Sequence, residues 1–262
     1  MSAPRWTDLR PRVISAAVLI GLALAAVWIG GLAWRGFISL ACGVMVWELV
    51  RMVDTARDRS APVLGIVAGV CAIATPYLPP SLALPLLLLP SMAGFGRMER
   101  GGVTYAVFTA LILLSGYGFM KLRADFGLVW MLWLVCVVVM TDVGGYFAGR
   151  MIGGPKLWPR VSPKKTWSGA VAGWIGAALV GLVFAGATQA GFGLMGVSVA
   201  ISMASQIGDM AESTVKRRAG VKDSSNLLPG HGGLLDRFDG MLGAALFLLV
   251  AGQIVDFPPG LE

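Results

Sequence analysis

"LVWMLWLVCVVVMTDVGGYFAG", Leu128 to Gly149, runs for 22 residues with a single charged side chain, Asp142. As a helix it would be about 33 Å long, enough to cross a hydrocarbon core of ~30 Å. Eight further apolar runs flank it: Val13 to Gly31, Gly36 to Val53, Ala61 to Leu78, Ser81 to Phe95, Val103 to Leu122, Gly169 to Gly191, Phe192 to Val215 and Phe238 to Phe257. The run from Ser81 is the shortest and carries Pro85 and Pro90, so a kinked or re-entrant helix is expected there. Composition agrees. Hydrophobic residues make up 56% of the chain and charged residues 13%, about half the charged share of a soluble domain, and the mean hydropathy is +0.77. The expected fold class is all-α, a polytopic integral membrane bundle of about nine transmembrane helices.

Basic residues orient such a bundle, because cytoplasmic loops are enriched in Lys and Arg. With the N-terminus in the cytoplasm, every Lys and Arg falls on the cytoplasmic side except Arg35, Lys121 and Arg123. The net charge of +7 therefore reads as topology rather than as a nucleic-acid surface. Ala23-Leu24-Ala25 resembles a signal-peptide cleavage site, but the apolar run continues past it and more follow, so a spanning helix is expected. Cys42, Cys71 and Cys136 lie far apart in apolar runs with no zinc-ligand spacing, and read as packing residues.

Each acidic residue in a span costs ~2.5 to 3.5 kcal/mol on insertion scales and so needs a reason. Glu48 lies near the end of its run beside Arg51 and reads as a snorkelling interfacial charge. Asp142 shares a helix face with Gly145 and Gly149, at i+3 and i+7, and fits either a buried helix contact or the wall of a polar cavity. Asp209, Glu212, Ser213 and Lys216 fall on one helical stripe, an oxygen-rich face suited to a hard cation such as Mg2+. Asp236 and Asp239 repeat the i, i+3 acidic spacing at the start of the last run, where the helix dipole favours carboxylates. Two such pairs suggest a metal site shared by two helices.

The loops beside these carboxylates are the two long polar ones, 150–168 and 218–237. "RAGVKDSSNLLPGHGG" supplies Gly220, Gly230, Gly232 and Gly233, whose backbone N–H groups can approach an anion, with Lys222 and His231 as further donors. "GRMIGGPKLWPRVSPKKTWSG" supplies Lys156, Arg160, Lys164 and Lys165, with Ser162, Thr166 and Ser168 as hydroxyls; anionic lipid headgroups would also suit this loop. Neither matches a P-loop or a Rossmann fingerprint. Carboxylates that can hold a metal, beside loops that can hold phosphate, are the parts of phosphoryl or nucleotidyl transfer onto a lipid.

The stretch "STVKRRAGVKDSSNLLPGHGGLLDRFD", Ser213 to Asp239, resembles the signature of the phosphatidate cytidylyltransferases. Its fixed elements fall on Ser213, Val215, Lys216, Arg217, Lys222, Asp223, Ser225, Leu228, Pro229, His231, Gly232, Gly233, Asp236, Arg237, Phe238 and Asp239. "SPKKTWSG" and "SQIGDMAES" are similar to two further segments of that family. The residue after Trp167 is commonly acidic there and is Ser168 here.

The resemblance implies transfer of CMP from CTP to phosphatidic acid, giving CDP-diacylglycerol and pyrophosphate, with Mg2+ and room for a second cation. It makes residues 1–127 the N-terminal helices, about five, and residues 128–262 the catalytic region. Asp209 and Asp236 would hold the metal with Glu212 and Asp239 in support. Lys216, Lys222 and His231 would join Asp209 and Asp236 as catalytic residues. Lys164, Lys165, Thr166, Ser213, Arg217, Gly232, Gly233, Arg237 and Asp142 would contact substrate. The partners are then CTP, phosphatidic acid and the bilayer, with no nucleic acid; a homodimer stays open. The expected location is a bacterial inner membrane, active site toward the cytoplasm. Two rivals remain at this stage, a CTP-dependent polyprenol or phytol kinase and a transporter that uses the intramembrane carboxylates.

Overall fold

The structure, a computed structural model, describes residues 9–228, 230–254 and 257–259. Of the positions singled out above, Pro229 and part of the last apolar run, 255–256, lie outside the described residues. Each apolar run is helical: α1 (Leu9–Ile29), α2 (Gly31–Val53), α3 (Ala61–Ala74), α4 (Pro80–Phe95), α5 (Gly102–Asp125), α6 (Leu128–Met151), α7 (Trp167–Thr188), α8 (Gly193–Arg218) and α9 (Leu235–Ala251). Among the described residues five of these, α2, α5, α6, α7 and α8, are long and apolar enough to cross a membrane. The protein is an all-α integral membrane protein with one small addition. The 150–168 segment, read from sequence as a long polar loop, forms a hairpin of β1 (Lys156–Trp158) and β2 (Ser162–Thr166), antiparallel, with Lys156 opposite Thr166 and Trp158 opposite Ser162.

The helices group into two compact units, Met1–Ala124 with Arg218–Phe238, and Asp125–Arg217 with Asp239–Glu262. In the first unit α2 and α3 meet backbone to backbone: a Cβ on Gly43 would stand 2.8 Å from the Gly65 carbonyl oxygen, and one on Gly65 2.7 Å from that of Gly43. Small residues are how apolar helices approach closely where no hydrophobic effect drives them together. Trp34, Ile38, Met45, Leu49, Ile112 and Phe119 fill the core, and the Trp34 indole donates to the Phe119 carbonyl at 3.1 Å. Despite Pro85 and Pro90, α4 is one continuous helix. Tyr105 of α5 donates to the Pro90 carbonyl oxygen at 2.9 Å.

The second unit inverts the usual pattern of a soluble protein, hiding hydroxyls and leaving much apolar surface outward. Ser198, Ser202 and Ser205 recur at i, i+4 and i+7 along α8, and all are buried. Trp133 of α6 donates to Ser198 Oγ at 3.0 Å and Thr141 to Ser202 Oγ at 2.7 Å. In lipid such bonds are satisfied only between helices, which fixes the face α8 turns inward. The same face, continued toward the helix end, carries Asp209 and Glu212.

Candidate functional site

In the second unit α6 and α7 pack so closely that a Cβ on Gly169 would lie 2.6 Å from the Gly145 carbonyl oxygen. This is the small-residue face expected of Gly145 and Gly149, and it brings Asp142 beside the hairpin. Thr166 ends β2 and caps α7, its Oγ1 accepting from Gly169 N at 3.2 Å. Ser168 shares a hydrogen bond with Thr166 Oγ1 and donates to the Gly153 carbonyl. The residue that departs from the family pattern therefore ties the hairpin base to α7.

A cavity of about 570 Å3 opens between α6, α7, α8 and the hairpin, and Asp142, Arg150, Lys156, Lys164, Lys165, Thr166, Gln206 and Asp209 are among its lining residues. Of the two readings left open for Asp142, it stands in a cavity wall. Lys165 forms an ion pair with Asp209, whose Oδ1 also accepts from Ser213 Oγ at 3.3 Å. Gln206 is held at both ends, accepting from the Trp174 indole at 3.0 Å and donating to the Ala170 carbonyl at 3.3 Å.

Asp239 joins this group through α9. A Cβ on Gly208 would lie 2.6 Å from the Asp239 carbonyl oxygen and 3.0 Å from Gly243 Cα, so α8 and α9 touch at the backbone beside both Asp209 and Asp239. Asp142, Asp209 and Asp239 fall within one another's electrostatic range, Lys165 acting on Asp142 and Lys216 on Asp239. Lys216 is buried and pairs with Glu212 at 2.6 Å. Among the described residues no three His, Cys, Asp or Glu side chains stand close enough to make a ready metal-binding group. Carboxylate oxygens are hard donors of the kind that a divalent ion such as Mg2+ takes.

The first unit holds the rest of the signature. The Asp236 carboxylate accepts, at Oδ2, from Ser224 N at 2.8 Å, Ser224 Oγ at 2.9 Å and Gly233 N at 2.7 Å. One oxygen of an expected metal ligand is thus engaged in shaping the loop. The His231 ring bonds Ser15 Oγ at 3.2 Å through Nδ1, and Arg237 donates to the His231 carbonyl at 2.8 Å. Gly232 has φ 82°, a left-handed conformation that glycine adopts without strain. Lys222, Arg237 and, at the end of α8, Arg217 are exposed.

Glu48 is the correction. Read as a snorkelling charge, it is instead completely buried. Oε1 accepts from Ser225 Oγ at 2.6 Å and Leu234 N at 2.9 Å, and Oε2 from Leu235 N at 2.7 Å and Ser224 Oγ at 3.4 Å. The carboxylate thereby occupies the N-terminus of α9, where unpaired amides and the helix dipole favour an anion. Its partners lie 176 to 187 residues away in sequence, so local pattern could not reveal them. The available signal was its cost in an apolar run, the argument applied above to Asp142 and Asp209.

Comparison with known proteins gives concordant matches. Residues 10–255 match the model of the cytidylyltransferase family. The chain is 40% identical over 268 residues to the phosphatidate cytidylyltransferase of Brucella suis biovar 1, covering 96% of each chain. It is 34% identical over 250 residues to the protein of that name from Staphylococcus saprophyticus, covering 89% of this chain and 95% of the relative. Identity to the Bacillus subtilis protein of the same name is 30% over 276 residues, covering 92% of this chain and 96% of the relative.

Proposed function

The chain belongs to the cytidylyltransferase family, and on that premise we propose that it is a phosphatidate cytidylyltransferase, transferring CMP from CTP to phosphatidic acid. The observation that carries the reading to particular residues is the cavity lined by Lys164, Lys165 and Thr166 together with Asp142 and Asp209. It offers cations for a triphosphate and carboxylates for a metal in one space.

The reaction needs little covalent help. A phosphate oxygen of phosphatidic acid attacks the α-phosphorus of CTP, the bond from that phosphorus to the bridging oxygen of the β-phosphate breaks, and pyrophosphate leaves. The attacking oxygen carries no proton near neutral pH, so no general base is required. The difficulty is bringing two polyanions together, which is a matter of positioning and charge. Lys164 and Lys165 meet the triphosphate from the hairpin, with Lys165 exchanging Asp209 for phosphate as substrate enters. Lys216, Lys222, His231 and Arg237 keep the phosphate-binding roles implied by the signature, and Gln206, fixed by Trp174, shapes the cavity wall. Asp209 and Asp239 would hold Mg2+, with Asp142 within their electrostatic range. When bound, that ion would neutralise charge that develops on the phosphates. In this reading Glu212 serves by keeping Lys216 in place, and Asp236 by ordering the loop that carries His231.

The finer topology belongs to the same proposal: nine spans, the N-terminus and the basic loops in the cytoplasm, and the active site at the cytoplasmic face of a bacterial inner membrane. The near-complete placement of Lys and Arg on one side supports it.

The test is product formation by the purified protein in detergent with phosphatidic acid, Mg2+ and CTP labelled at either the α- or the γ-phosphate. The α-label is expected in lipid and the γ-label in pyrophosphate, with Asp209→Asn losing both while remaining folded. Transfer of γ-label to a lipid alcohol would replace this reading with a kinase. Absence of label from every lipid would end it.

A further inference from the structure

The reaction assigns no part to Glu48, the most thoroughly buried carboxylate of the first unit. Its four hydrogen-bond donors all come from the signature segment: the hydroxyls of Ser224 and Ser225, and the amides of Leu234 and Leu235. Asp236 grips the same segment through Ser224 and Gly233. The two carboxylates are close enough to act on each other's charge, and the Ser224 hydroxyl lies between them at 3.4 Å and 2.9 Å. A hydroxyl has one proton to donate, so it serves Glu48 or Asp236 at any instant and links their geometries.

A buried apolar residue at position 48 would pack α2 equally well and would need no partners. Buried charges are costly unless fully hydrogen-bonded, and this one is bonded only to the segment that bears His231, Asp236 and Arg237. Gly232 and Gly233 also lack room for a side chain: a Cβ on Gly233 would stand 2.5 Å from Glu48 Oε1, and one on Gly232 2.6 Å from Asp236 Oδ2. The loop is thus held by two carboxylates.

We propose that Glu48 is a positioning residue for the transfer reaction: it fixes the N-terminus of α9 and the Ser224–Ser225 turn, and through them sets the placement of His231, Asp236 and Arg237. It touches no substrate. This role rests on the proposed cytidylyl transfer and adds a residue that the signature does not contain, on a helix far from it in sequence. Both oxygens are needed, since each accepts from one backbone amide, Leu234 just before α9 or Leu235 at its start, and from one serine hydroxyl. Replacing either oxygen with an NH2 group sets donor against donor.

The experiment is Glu48→Gln, with Glu48→Asp and Ser225→Ala alongside, measured for kcat and for KM of CTP on protein shown to be folded by its elution and melting profile in detergent. Positioning predicts kcat lowered at least tenfold in Glu48→Gln with KM for CTP within about threefold, since the residue meets no substrate. It also predicts partial recovery in Glu48→Asp, which keeps the charge. A folded Glu48→Gln enzyme with wild-type kcat overturns the proposal, whatever its stability. If Glu48→Gln does not fold, Ser225→Ala decides on the same criteria. If the wild type makes no CDP-diacylglycerol, the proposed reaction has failed, and the clamp is read from amide hydrogen exchange. Leu234 and Leu235 must then be protected in wild type and lose protection in Glu48→Gln; equal protection in both overturns it.

Discussion

Replacing Gly233 with alanine tests the clamp without touching a charged group. Gly233 is not among the glycines with positive φ, so alanine can adopt its backbone and the effect is one of space alone. The added Cβ would lie 2.5 Å from Glu48 Oε1 and would overlap Ser224 Oγ. To restore van der Waals contact the carboxylate must retreat by about 1 Å. That takes its bonds from Leu234 N and Ser225 Oγ, now 2.9 Å and 2.6 Å, to or beyond the limit of useful hydrogen bonding. Overpacking costs ~1 to 3 kcal/mol, and loss of one hydrogen bond to a charged group ~1.5 to 3 kcal/mol, so a destabilisation of about 3 to 5 kcal/mol is expected. On a chain of this size that corresponds to a fall in apparent Tm on the order of 10 °C, with turnover reduced in the protein that remains folded. Gly186→Ala in α7 is the control, since a Cβ there meets nothing within 4 Å, and it should be neutral or stabilise by up to ~1 kcal/mol through helix propensity. A Gly233→Ala protein within about 2 °C of wild type, less than ~1 kcal/mol by the same conversion, and with full turnover would refute the account of the loop.

Other outcomes follow from the second unit. Lys165→Met removes a cation from the cavity and the ion partner of Asp209; kcat/KM for CTP should fall by about two orders of magnitude or more in steady-state assays, and wild-type kinetics would take Lys165 out of the site. Thr166→Ala deletes the N-cap of α7 and should cost ~1 kcal/mol in thermal unfolding, with Thr166→Ser restoring most of it. Chelation with EDTA should abolish product formation and added Mg2+ recover it, while activity that survives exhaustive chelation would remove the metal from the proposal.

The carboxylates divide according to how far their partners lie along the chain. Asp142 was readable because Gly145 and Gly149 sit on its own helix face, and the structure places that face against α7. The stripe of Asp209, Glu212, Ser213 and Lys216 was readable for the same reason: the Glu212 to Lys216 pair and the Ser213 to Asp209 bond are both i, i+4 contacts. The pairing of Lys165 with Asp209 was not, since the hairpin that carries Lys165 returns to α8 only through the packing of α7. Nor was the short hairpin itself, in a loop whose prolines and glycines announce turns without saying which strands pair.

By itself the sequence determined what depends on neighbours: apolar runs long enough to be helices, the basic residues between them, the stripes of oxygen on α8 and the glycines that let helices touch. These follow from a helical repeat of about 3.6 residues and from the cost of exposing polar groups to lipid. Tertiary structure alone decided the employment of each charge. Glu48 and Asp209 look alike as acids in apolar runs, yet one is closed by four donors from a loop 176 to 187 residues away and the other stands in a cavity beside Lys165. A buried carboxylate is defined by the donors that reach it, and those arrive through the fold.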